Sequence, residues 1–545
     1  MKKTLLLFLI VAFSFILRAD GFNWDQGQHL HPDERFLTMV GTQIHWPDSV
    51  GEYFDTNKSP LSPYNNNYDF FVYGTFPLFL TKAVAGMIGF GNYGHFNLVG
   101  RLLSAIFDTG VVILLWFISG GVLASLVYAL MVLPIQLSHF FTVDTFLNFF
   151  LVLTFYSAFT WPAIATGFFL GLALSCKISA ILFLPIVGLL FLFRFRLKPK
   201  KLFINAGFLL LAAFISFRIF NPYAFRGLLV PNPQFIKSIK TLQSFNNPAA
   251  NFPPAVQWIK TKPIIFPALN LFFWGLGAPL GILVVMSLAW LLIKQVTIFK
   301  KGLFSKKERL YTVALFWVFF LFLFQGVQFV KTMRYFLPIY PFLALITAKF
   351  LQKSFINRWF AYKKLRLVIF VPLFLYPLAF TSIYRRSHSR VTASRWIYEN
   401  IPSGSVISCE HWDDCLPLPV RNKNSLIYQT ELMPLYNKDN QEKWRRVNQQ
   451  LERIDYLIIS SNRLSGSIPK VPEKYPQTAV YYQRLFSGQL GFKKVAEFTS
   501  YPSLGVFGYR WTIKDDGAEE AFTVFDHPKV VIFQKEKKVA PQRDF

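Results

Sequence analysis

Ten long apolar runs constrain this chain more than any other feature of its sequence. Most are close to the roughly 20 residues that an α-helix needs to cross a bilayer. Hydrophobic residues make up 53% of the 545 residues and charged residues only 16%, which is typical of polytopic membrane proteins. The runs lie at residues 97–118, 121–139, 144–159, 163–176, 178–194, 202–220, 266–293, 310–330, 335–350 and 366–384.

An eleventh apolar run, residues 4–17, follows a basic tip at the start of the sequence. It is short for a membrane span, so it is either a cleaved signal peptide or a first membrane helix. No small-x-small cleavage motif follows it, which favours a retained helix. Residue 20 emerges on the far side of the membrane in either case.

The positive charge predicts the orientation of the spans. Lys and Arg outnumber Asp and Glu by 57 to 29, but the excess is concentrated in short loops, which favours membrane topology over nucleic-acid binding. Eleven spans with a cytoplasmic N-terminus place all three strongly basic loops in the cytoplasm. Residues 70–90 are predicted to lie on or dip into the outer leaflet. The basic loops are residues 194–201, 294–309 and 349–366, with 5, 6 and 6 Lys or Arg.

Three polar regions then face outward: residues 20–95, 221–265 and 386–545. Within the last region, "ASRWIYENI" predicts a helix, and "DYLIISS" and "KVVIFQK" predict strands. We therefore expect a transmembrane domain over residues 1–385 and a small extracytoplasmic α/β domain over residues 386–545.

The sequence "CEHWDDC" in the last region leaves two alternatives open. Cys409 and Cys415 either form a local disulfide or remain unpaired thiols. The polar side chains between them are interpreted as a solvated loop rather than a metal site. Those side chains are Glu410, His411, Asp413 and Asp414.

Acidic residues are gathered just outside the first span. Residues 20–69 contain eight acids against two basic residues, and "HPDERF" at residues 31–36 places Asp33 beside Glu34. Transporters usually carry their ionisable groups within the spans, so this pattern favours chemistry at the outer surface over a conduction path. Desolvation at a lipid boundary raises the pKa of a carboxyl group, which suits a general base.

Several short motifs appear in an order that resembles a known family. They are "DE" after the first helix, "YGTFP", "LVGRLLS", "FTVDTF", "LSCKISA" and "MRYFLPIYPFL". Together, over roughly residues 1–385, they resemble the GT-C glycosyltransferases. The similarity is greatest to the branch of protein O-mannosyltransferases and the lipid A aminoarabinose transferase. The resemblance implies a polytopic α-helical membrane protein with about eleven transmembrane helices.

The resemblance also implies an activity and its residues. Such enzymes move one sugar from a polyprenyl-phosphate carrier on the extracytoplasmic face and invert its anomeric centre. Asp33 and Glu34 match the acidic pair of the mannosyltransferase branch, with Asp33 favoured as the base, and Asp144 orients substrate or base. Tyr73 and Gly74 depart from the aminoarabinose branch, which has a Lys beside its proline. The cations expected to meet the lipid phosphate are Arg101, Lys177, Arg334 and, less strongly, Lys331.

Each of these residues also has a structural interpretation. Asp33 and Glu34 follow Pro32 and suit the first turn of a helix, and Asp144 suits a helix cap. The cations could instead snorkel to lipid head groups. Asp108 and Arg218 lie inside apolar runs and either pair with each other or face the catalytic cavity.

No cofactor is certain from the sequence. His29 and His31 alternate with Asp33 and could bind a divalent metal if that segment were extended. The acceptor is a protein, a lipid or a cell-envelope glycan, and no residue distinguishes them. Two other functions compete with monosaccharide transfer: an oligosaccharide ligase or polymerase that uses diphosphate-linked donors, and a flippase or transporter of lipid-linked precursors.

Overall fold

A computed structural model describes residues 2–196, 198–248, 252–301, 305–353, 363–420, 423–506 and 508–536. Part of the predicted cytoplasmic loop 349–366 therefore lies outside the described residues. The chain divides into two compact units. The helical unit comprises Met1–Phe22, His31–Asn246 and Pro263–Thr381, and the sheet unit comprises Asn23–Leu30, Asn247–Lys262 and Ser382–Phe545.

The helical unit consists almost entirely of helices that follow the apolar runs. Its α-helices are Lys2–Ala19, Pro32–Gln43, Val50–Phe54, Thr75–Met87, Tyr93–Ser119, Val122–Ala129, Val132–Ser138, Asp144–Thr160, Ala163–Cys176, Leu184–Arg194, Pro199–Phe220, Pro233–Ser244, Ile265–Asn270, Ala278–Lys301, Lys306–Gly326, Tyr340–Lys353 and Lys363–Thr381. Short 3₁₀ or π turns and one hairpin connect them: Pro63–Asn66, Ile178–Phe183, Pro222–Ala224, Leu271–Gly275, Met333–Ile339, and Phe225–Arg226 paired with Val230–Pro231.

Five helices in the described part of the chain combine the length and hydropathy needed to cross a membrane, so the chain is an integral membrane protein. Other apolar runs are interrupted: the run at 121–139 contains two helices, and the run at 266–293 breaks at Gly277, whose φ is 80°. The five helices are Tyr93–Ser119, Pro199–Phe220, Ala278–Ile298, Lys306–Gly326 and Met333–Lys353.

Small residues allow two of the helices to approach closely. On Ala163–Cys176, a Cβ added to Gly167 would lie 2.2 Å from the carbonyl oxygen of Leu209, and one added to Gly171 would lie 2.5 Å from that of Ala213. Both carbonyls belong to Pro199–Phe220. Glycine at such positions is a common basis of helix packing in membranes, where dispersion contacts replace the hydrophobic effect.

A buried ion pair joins the first helix to the helix Tyr93–Ser119. Arg18 Nε donates to Asp108 Oδ2 at 2.6 Å, and both side chains are fully buried. Tyr128 Oη donates to the other oxygen of Asp108 at 2.5 Å. The suggested pairing of Asp108 with Arg218 is therefore wrong. Arg218 instead donates to the carbonyl oxygen of Gly227 at 2.7 Å.

The sheet unit is built on a mixed five-stranded sheet. In spatial order its strands are Gln429–Met433, Val406–Glu410, Tyr456–Ile459, Val530–Lys535 and Phe492–Phe498. The first three strands run parallel, and Val530–Lys535 is antiparallel to both of its neighbours. The predicted strands in "DYLIISS" and "KVVIFQK" are confirmed.

Helices and turns surround this sheet and pack against it to form a hydrophobic core. They are Ser389–Asn400, Gln441–Arg453, Pro476–Phe486, Glu520–Thr523, the 3₁₀ turns Pro253–Trp258, Ser425–Ile427 and Ile468–Lys470, and the hairpin Ser503–Val506 with Tyr509–Thr512. The helix predicted from "ASRWIYENI" is confirmed. Buried aliphatic and aromatic side chains, among them Val447, Leu457 and Leu485, form the core beneath the helices.

The segment between Cys409 and Cys415 is more ordered than the sequence indicated. Cys409 and Cys415 form a disulfide. Asp413 and Asp414 accept hydrogen bonds from Arg390 at 2.7 and 2.6 Å, and Tyr482 donates to the buried Glu410 at 2.7 Å. The interpretation as a solvated loop is therefore wrong, because three of its four acidic or imidazole side chains are committed to partners within the fold.

Candidate functional site

The segment "HPDERF" begins a helix, as one of its interpretations required. His31 is the N-cap of Pro32–Gln43, and its Nδ1 accepts the backbone N–H of Glu34 at 3.4 Å. Pro32 occupies the first helical position, and Asp33 and Glu34 follow in the first turn. Successive helical residues point about 100° apart, so the two carboxylates enter different surroundings.

Asp33 belongs to a cluster of four charged side chains, here called the charged cluster: Asp33, Asp144, Lys177 and Arg334. Arg334 lies at its centre, with Nη1 2.6 Å from Asp33 Oδ2 and Nη2 3.2 Å from Asp144 Oδ2. Lys177 Nζ donates to Asp144 Oδ1 at 2.9 Å. Four positions separated widely in sequence thus form one continuous network of two carboxylates and two cations.

Each member of the charged cluster lies where a helix begins or ends. Asp144 opens the helix Asp144–Thr160, and Lys177 directly follows Ala163–Cys176. Arg334 lies in the 3₁₀ turn Met333–Ile339, which leads into Tyr340–Lys353. Charged groups are tolerated at the ends of apolar helices, where they can reach partners or water, but not in the middle against lipid.

A tight backbone contact fixes one side of the cluster. Gly74 N–H donates to the carbonyl oxygen of Cys176 at 2.9 Å, and a Cβ on Gly74 would lie 1.9 Å from the carbonyl oxygen of Ser175. Only glycine allows this approach. The contact fixes the backbone next to Tyr73 and Lys177, the immediate neighbours of Gly74 and Cys176.

Electrostatics keep Asp33 ionised. Burial disfavours the charged carboxylate, but the charge of Arg334 and hydrogen bonds from Arg334 and Tyr73 outweigh it, so the pKa of Asp33 lies well below its usual range. The raised pKa expected from desolvation is therefore wrong for this arrangement. The side chain is still 24% exposed, so a ligand can reach it.

Two buried polar atoms of the cluster retain unused hydrogen-bonding capacity. Within the part of the chain that the structure describes, Arg334 Nε and Asp144 Oδ2 have no hydrogen-bond partner. Asp144 Oδ2 contacts Arg334 only as an ion pair at 3.2 Å. Buried polar atoms without partners are uncommon and are often completed by a ligand or water.

Glu34 lies outside the charged cluster and forms a separate buried pair. Both of its oxygens contact Arg101, from Nε at 2.8 Å and from Nη2 at 2.5 Å, and both side chains are fully buried. Phe141 N–H donates to Glu34 at 2.9 Å, and Arg101 Nη1 donates to the carbonyl oxygen of Phe22 at 2.8 Å. The structure thus pairs Arg101 with a protein carboxylate, Glu34.

The remaining candidates form other contacts. Lys331 is buried and donates to the carbonyl oxygen of Phe329 at 3.0 Å. His31 is buried with its ring 4.6 Å from that of Phe140, and its Nδ1 is already used by the helix cap. His29 belongs to the segment Asn23–Leu30 of the sheet unit.

The suggested metal site does not fit these surroundings. Among the described residues, no group of three or more His, Cys, Asp or Glu side chains is arranged to hold a metal ion. The lone pair of His31 Nδ1 is occupied, and Asp33 is paired with a guanidinium whose charge would repel a nearby cation.

Two tyrosines complete the site and were not among the residues expected from the sequence. Tyr73 donates a hydrogen bond to Asp33, and the ring of Tyr335 lies 4.8 Å from Lys177 Nζ. The sequence indicated these tyrosines only through their places in two of the family-like motifs. Tyr73 precedes Gly74 in "YGTFP", and Tyr335 follows Arg334 in "MRYFLPIYPFL". Aromatic residues are too frequent in this chain for that signal to select them.

Comparison with known proteins identifies the fold. No family model matches the chain, and no curated protein matches it in sequence. The archaeal oligosaccharyltransferase AglB from Archaeoglobus fulgidus, in complex with an inhibitory peptide and a dolichol-phosphate, aligns with a TM-score of 0.50 and 11% identity over 94% of this chain and 74% of that one.

Two further structures align with lower scores. ArnT from Cupriavidus metallidurans, bound to undecaprenyl phosphate, gives a TM-score of 0.45 and 14% identity over 72% of each chain. The S. cerevisiae protein O-mannosyltransferase Pmt1-Pmt2 complex, bound to the sugar donor, gives 0.31 and 19% over 42% of this chain and 35% of that one. The AglB alignment carries the conclusion: this chain has the GT-C fold. Identities this low establish the fold alone.

Proposed function

We propose that the chain is a glycosyltransferase that moves a monosaccharide from a polyprenyl-phosphate carrier to an acceptor hydroxyl, with inversion, on the extracytoplasmic face of the membrane. The charged cluster is the single observation that carries the proposal. Two cations and a partly exposed carboxylate lie at helix ends, within one network of ion pairs, in a chain with the GT-C fold.

Arg334 and Lys177 are suited to bind the donor phosphate. A guanidinium offers parallel N–H donors to phosphate oxygens, and Arg334 Nε has no hydrogen-bond partner among the described residues. The carboxylates of Asp33 and Asp144 contact these cations at positions that phosphate oxygens would take. The same cations would stabilise the negative charge that develops on the phosphate as the sugar leaves.

Asp33 is the proposed general base. Its pKa is held down chiefly by Arg334 against the opposing effect of burial. When a donor phosphate shares Arg334, that restraint weakens and the basicity of Asp33 increases. The acceptor oxygen then bonds to the anomeric carbon, the bond from that carbon to the phosphate oxygen breaks with its electron pair, and the acceptor proton moves to Asp33.

The other acidic residues have supporting roles in this proposal. Asp144 contacts both cations and positions them for the phosphate. Glu34 and Arg101 hold the start of the helix Pro32–Gln43 against Tyr93–Ser119, which sets the position of Asp33. Lys331 remains a weaker candidate for contact with the donor.

The proposed topology has about eleven spans, a cytoplasmic N-terminus and an extracytoplasmic sheet unit. The three basic loops support it, because such loops are normally retained in the cytoplasm. The disulfide between Cys409 and Cys415 supports it independently, since disulfides persist mainly in oxidising compartments. The membrane, a lipid donor and an acceptor that is protein, lipid or glycan are the expected partners.

Transfer from labelled donors tests the proposal. Purified protein in nanodiscs would be supplied with a panel of radiolabelled polyprenyl-phosphate sugars and an extract of cell-envelope acceptors. Asp33→Asn should reduce turnover about 100-fold or more while donor binding persists, as expected for loss of a general base. Arg334→Gln should weaken donor binding as well.

The matched control for Asp33 is Asp69→Asn, an exposed acid of the same loop. It should leave transfer unchanged. Transfer that persists in Asp33→Asn would contradict the mechanism, and transport of a lipid-linked precursor without any sugar transfer would identify a flippase instead.

An oligosaccharide ligase is a second candidate, favoured by one observation. The AglB structure, an oligosaccharyltransferase, aligns over 94% of this chain, including the sheet unit. The ligase would accept diphosphate-linked oligosaccharides. Parallel assays with diphosphate-linked and monophosphate-linked donors distinguish the two, because the proposed transferase should turn over only the latter.

A further inference from the structure

The sheet unit contains a cavity of about 800 Å³ that the proposed chemistry does not use. This volume is within the usual range of small-molecule sites. The cavity opens beside Trp412, just after the strand Val406–Glu410, and beside Pro434, just after Gln429–Met433. These strands are parallel, and ligands of open α/β sheets bind outside the carboxyl ends of parallel strands.

One buried lysine, Lys443, connects several segments of the cavity wall. Lys443 Nζ donates to the carbonyl oxygens of Leu435 and Asn437, both at 2.9 Å, and to Asp439 at 2.6 Å. Thr478 Oγ1 lies 2.7 Å from the same nitrogen and donates its own proton to Asp439 at 2.6 Å. A preformed wall lowers the entropic cost of binding a ligand.

The lining carries an excess of uncommitted positive charge. Lys438, Arg446 and Lys474 are exposed, and in the part of the chain that the structure describes they form no ion pair with an acid. Of the two lining acids, Glu473 pairs with Lys260 at 2.8 Å, which leaves Glu442. Three cations without an acidic partner, against one remaining acid, favour an anionic ligand.

Aromatic rings provide the second part of the lining. The rings of Trp412 and Phe252 meet edge to face, with centroids 6.1 Å apart, and Trp412 is 43% exposed. Its backbone has a φ of 79°, which is unusual for a residue with a side chain. The disulfide of Cys409 with Cys415 brackets Trp412, and Arg463 donates to its carbonyl oxygen at 2.8 Å.

We infer that this cavity binds an anionic glycan, by stacking a sugar ring on Trp412 and pairing its acidic group with Arg446 and Lys438. The flat apolar face of a sugar ring suits an exposed indole, and its hydroxyl and acidic groups suit the surrounding polar side chains. The acid could be a carboxylate, as in a uronic acid, or a phosphate ester. If the proposed function holds, such a glycan is the acceptor, and this second step rests on that function.

Binding is best measured with the full-length protein carrying Asp33→Asn, in nanodiscs of uncharged lipid. The Asp33→Asn substitution should strongly reduce glycosyl transfer but leave the cavity of the sheet unit intact. Glycan binding by this variant therefore tests the cavity independently of the proposed transfer activity. The probes are trigalacturonate, a 6-phosphorylated mannotriose, neutral mannotriose and tetraglutamate, titrated by calorimetry. We expect one or both acidic sugars to bind at least tenfold more tightly than neutral mannotriose, and the preferred one identifies the acid.

Two variants and a matched control locate the site. The double variant Lys438→Gln with Arg446→Gln and, separately, Trp412→Ala should each raise the Kd of the acidic sugar at least tenfold. Arg445→Gln, an exposed neighbour outside the lining, should leave it unchanged. Equal binding of neutral mannotriose, an equal loss in Arg445→Gln, or no binding of either acidic sugar would overturn the inference. Tetraglutamate binding as tightly as the sugars would assign the cavity to an acidic peptide instead.

Discussion

The adjacent acids Asp33 and Glu34 have different surroundings although they are consecutive residues of one helix. Asp33 is partly exposed and shares Arg334 with Asp144, whereas Glu34 is fully buried against Arg101. The sequence predicted both as catalytic candidates because it places them side by side. It could not assign Arg101 to Glu34 and Arg334 to Asp33, since these pairings join positions 67 and 301 residues apart.

We predict that Glu34→Gln destabilises the protein far more than Asp33→Asn. Removing one partner of a buried ion pair leaves an uncompensated charge and costs about 3–5 kcal/mol. The measurement is the apparent melting temperature in detergent, together with the yield of monodisperse protein. Replacing both partners, by Glu34→Leu with Arg101→Met, should recover much of the loss. A stable Glu34→Gln protein that lacks transfer would instead make Glu34 a catalytic residue.

A second prediction at the residue scale concerns Glu410. Burial raises the pKa of Glu410 to about 8, with a smaller contribution from Asp413. Between its ordinary pKa of 4.5 and about 8, the folded protein holds a proton that the unfolded chain releases, so stability should fall as the pH rises. The fall amounts to at most about 1.4 kcal/mol per pH unit.

Glu410→Gln should remove this pH dependence and keep the hydrogen bond from Tyr482. We expect its melting temperature to exceed that of the unsubstituted protein at pH 8 and to match it near pH 4.5. Glu452→Gln, at an exposed position, provides the control and should not change the slope. Parallel pH profiles for the Glu410→Gln and unsubstituted proteins would contradict the prediction.

At the scale of single elements, apolar periodicity predicted most helices but not their interruptions. The run at 121–139 was expected to be one span, but the structure contains Val122–Ala129 and Val132–Ser138. Every residue from Leu130 to Phe141 is buried, so the break is covered by other parts of the helical unit. Irregular backbone is tolerated in a membrane only with such cover, which depends on tertiary packing that no local pattern encodes.

The contact between Gly74 and the end of Ala163–Cys176 leads to a prediction at this scale. Gly74→Ala should abolish transfer, because the new methyl group would displace Lys177, which pairs with Asp144, and Tyr73, which donates to Asp33. Gly86→Ala is the matched control: it lies in the helix Thr75–Met87 with no heavy atom within 4 Å of the added Cβ. It should retain activity and slightly raise the melting temperature. Transfer assays on both variants measure the difference.

For the whole molecule, the order of motifs predicted the GT-C fold, and the AglB alignment confirms it. The orientation of the chain remains a prediction because charge patterning and the disulfide bear on it only indirectly. The division into units also differs from a simple N-terminal and C-terminal split, since Asn23–Leu30 and Asn247–Lys262 join the sheet unit. These short segments carry no pattern of their own that would assign them to it.

Thiol labelling tests the disulfide in the whole chain. The sequence has three cysteines, of which Cys176 is free and buried. Protein denatured without reductant should therefore take up one maleimide-polyethylene glycol group, and reduced protein should take up three. Three groups without reductant would show that Cys409 and Cys415 are not joined in the cell and would remove the disulfide as support for an outward sheet unit.

Single cysteines at exposed positions test the orientation directly. In a background without the natural cysteines, Lys58→Cys and Leu426→Cys should react with a membrane-impermeant maleimide in intact cells. Lys200→Cys and Lys300→Cys should react only after the membrane is opened, because their loops are predicted to be cytoplasmic. The reverse pattern would place Asp33 in the cytoplasm, beyond the reach of an extracytoplasmic lipid-linked sugar. The charged cluster would then need a donor presented on the inner leaflet.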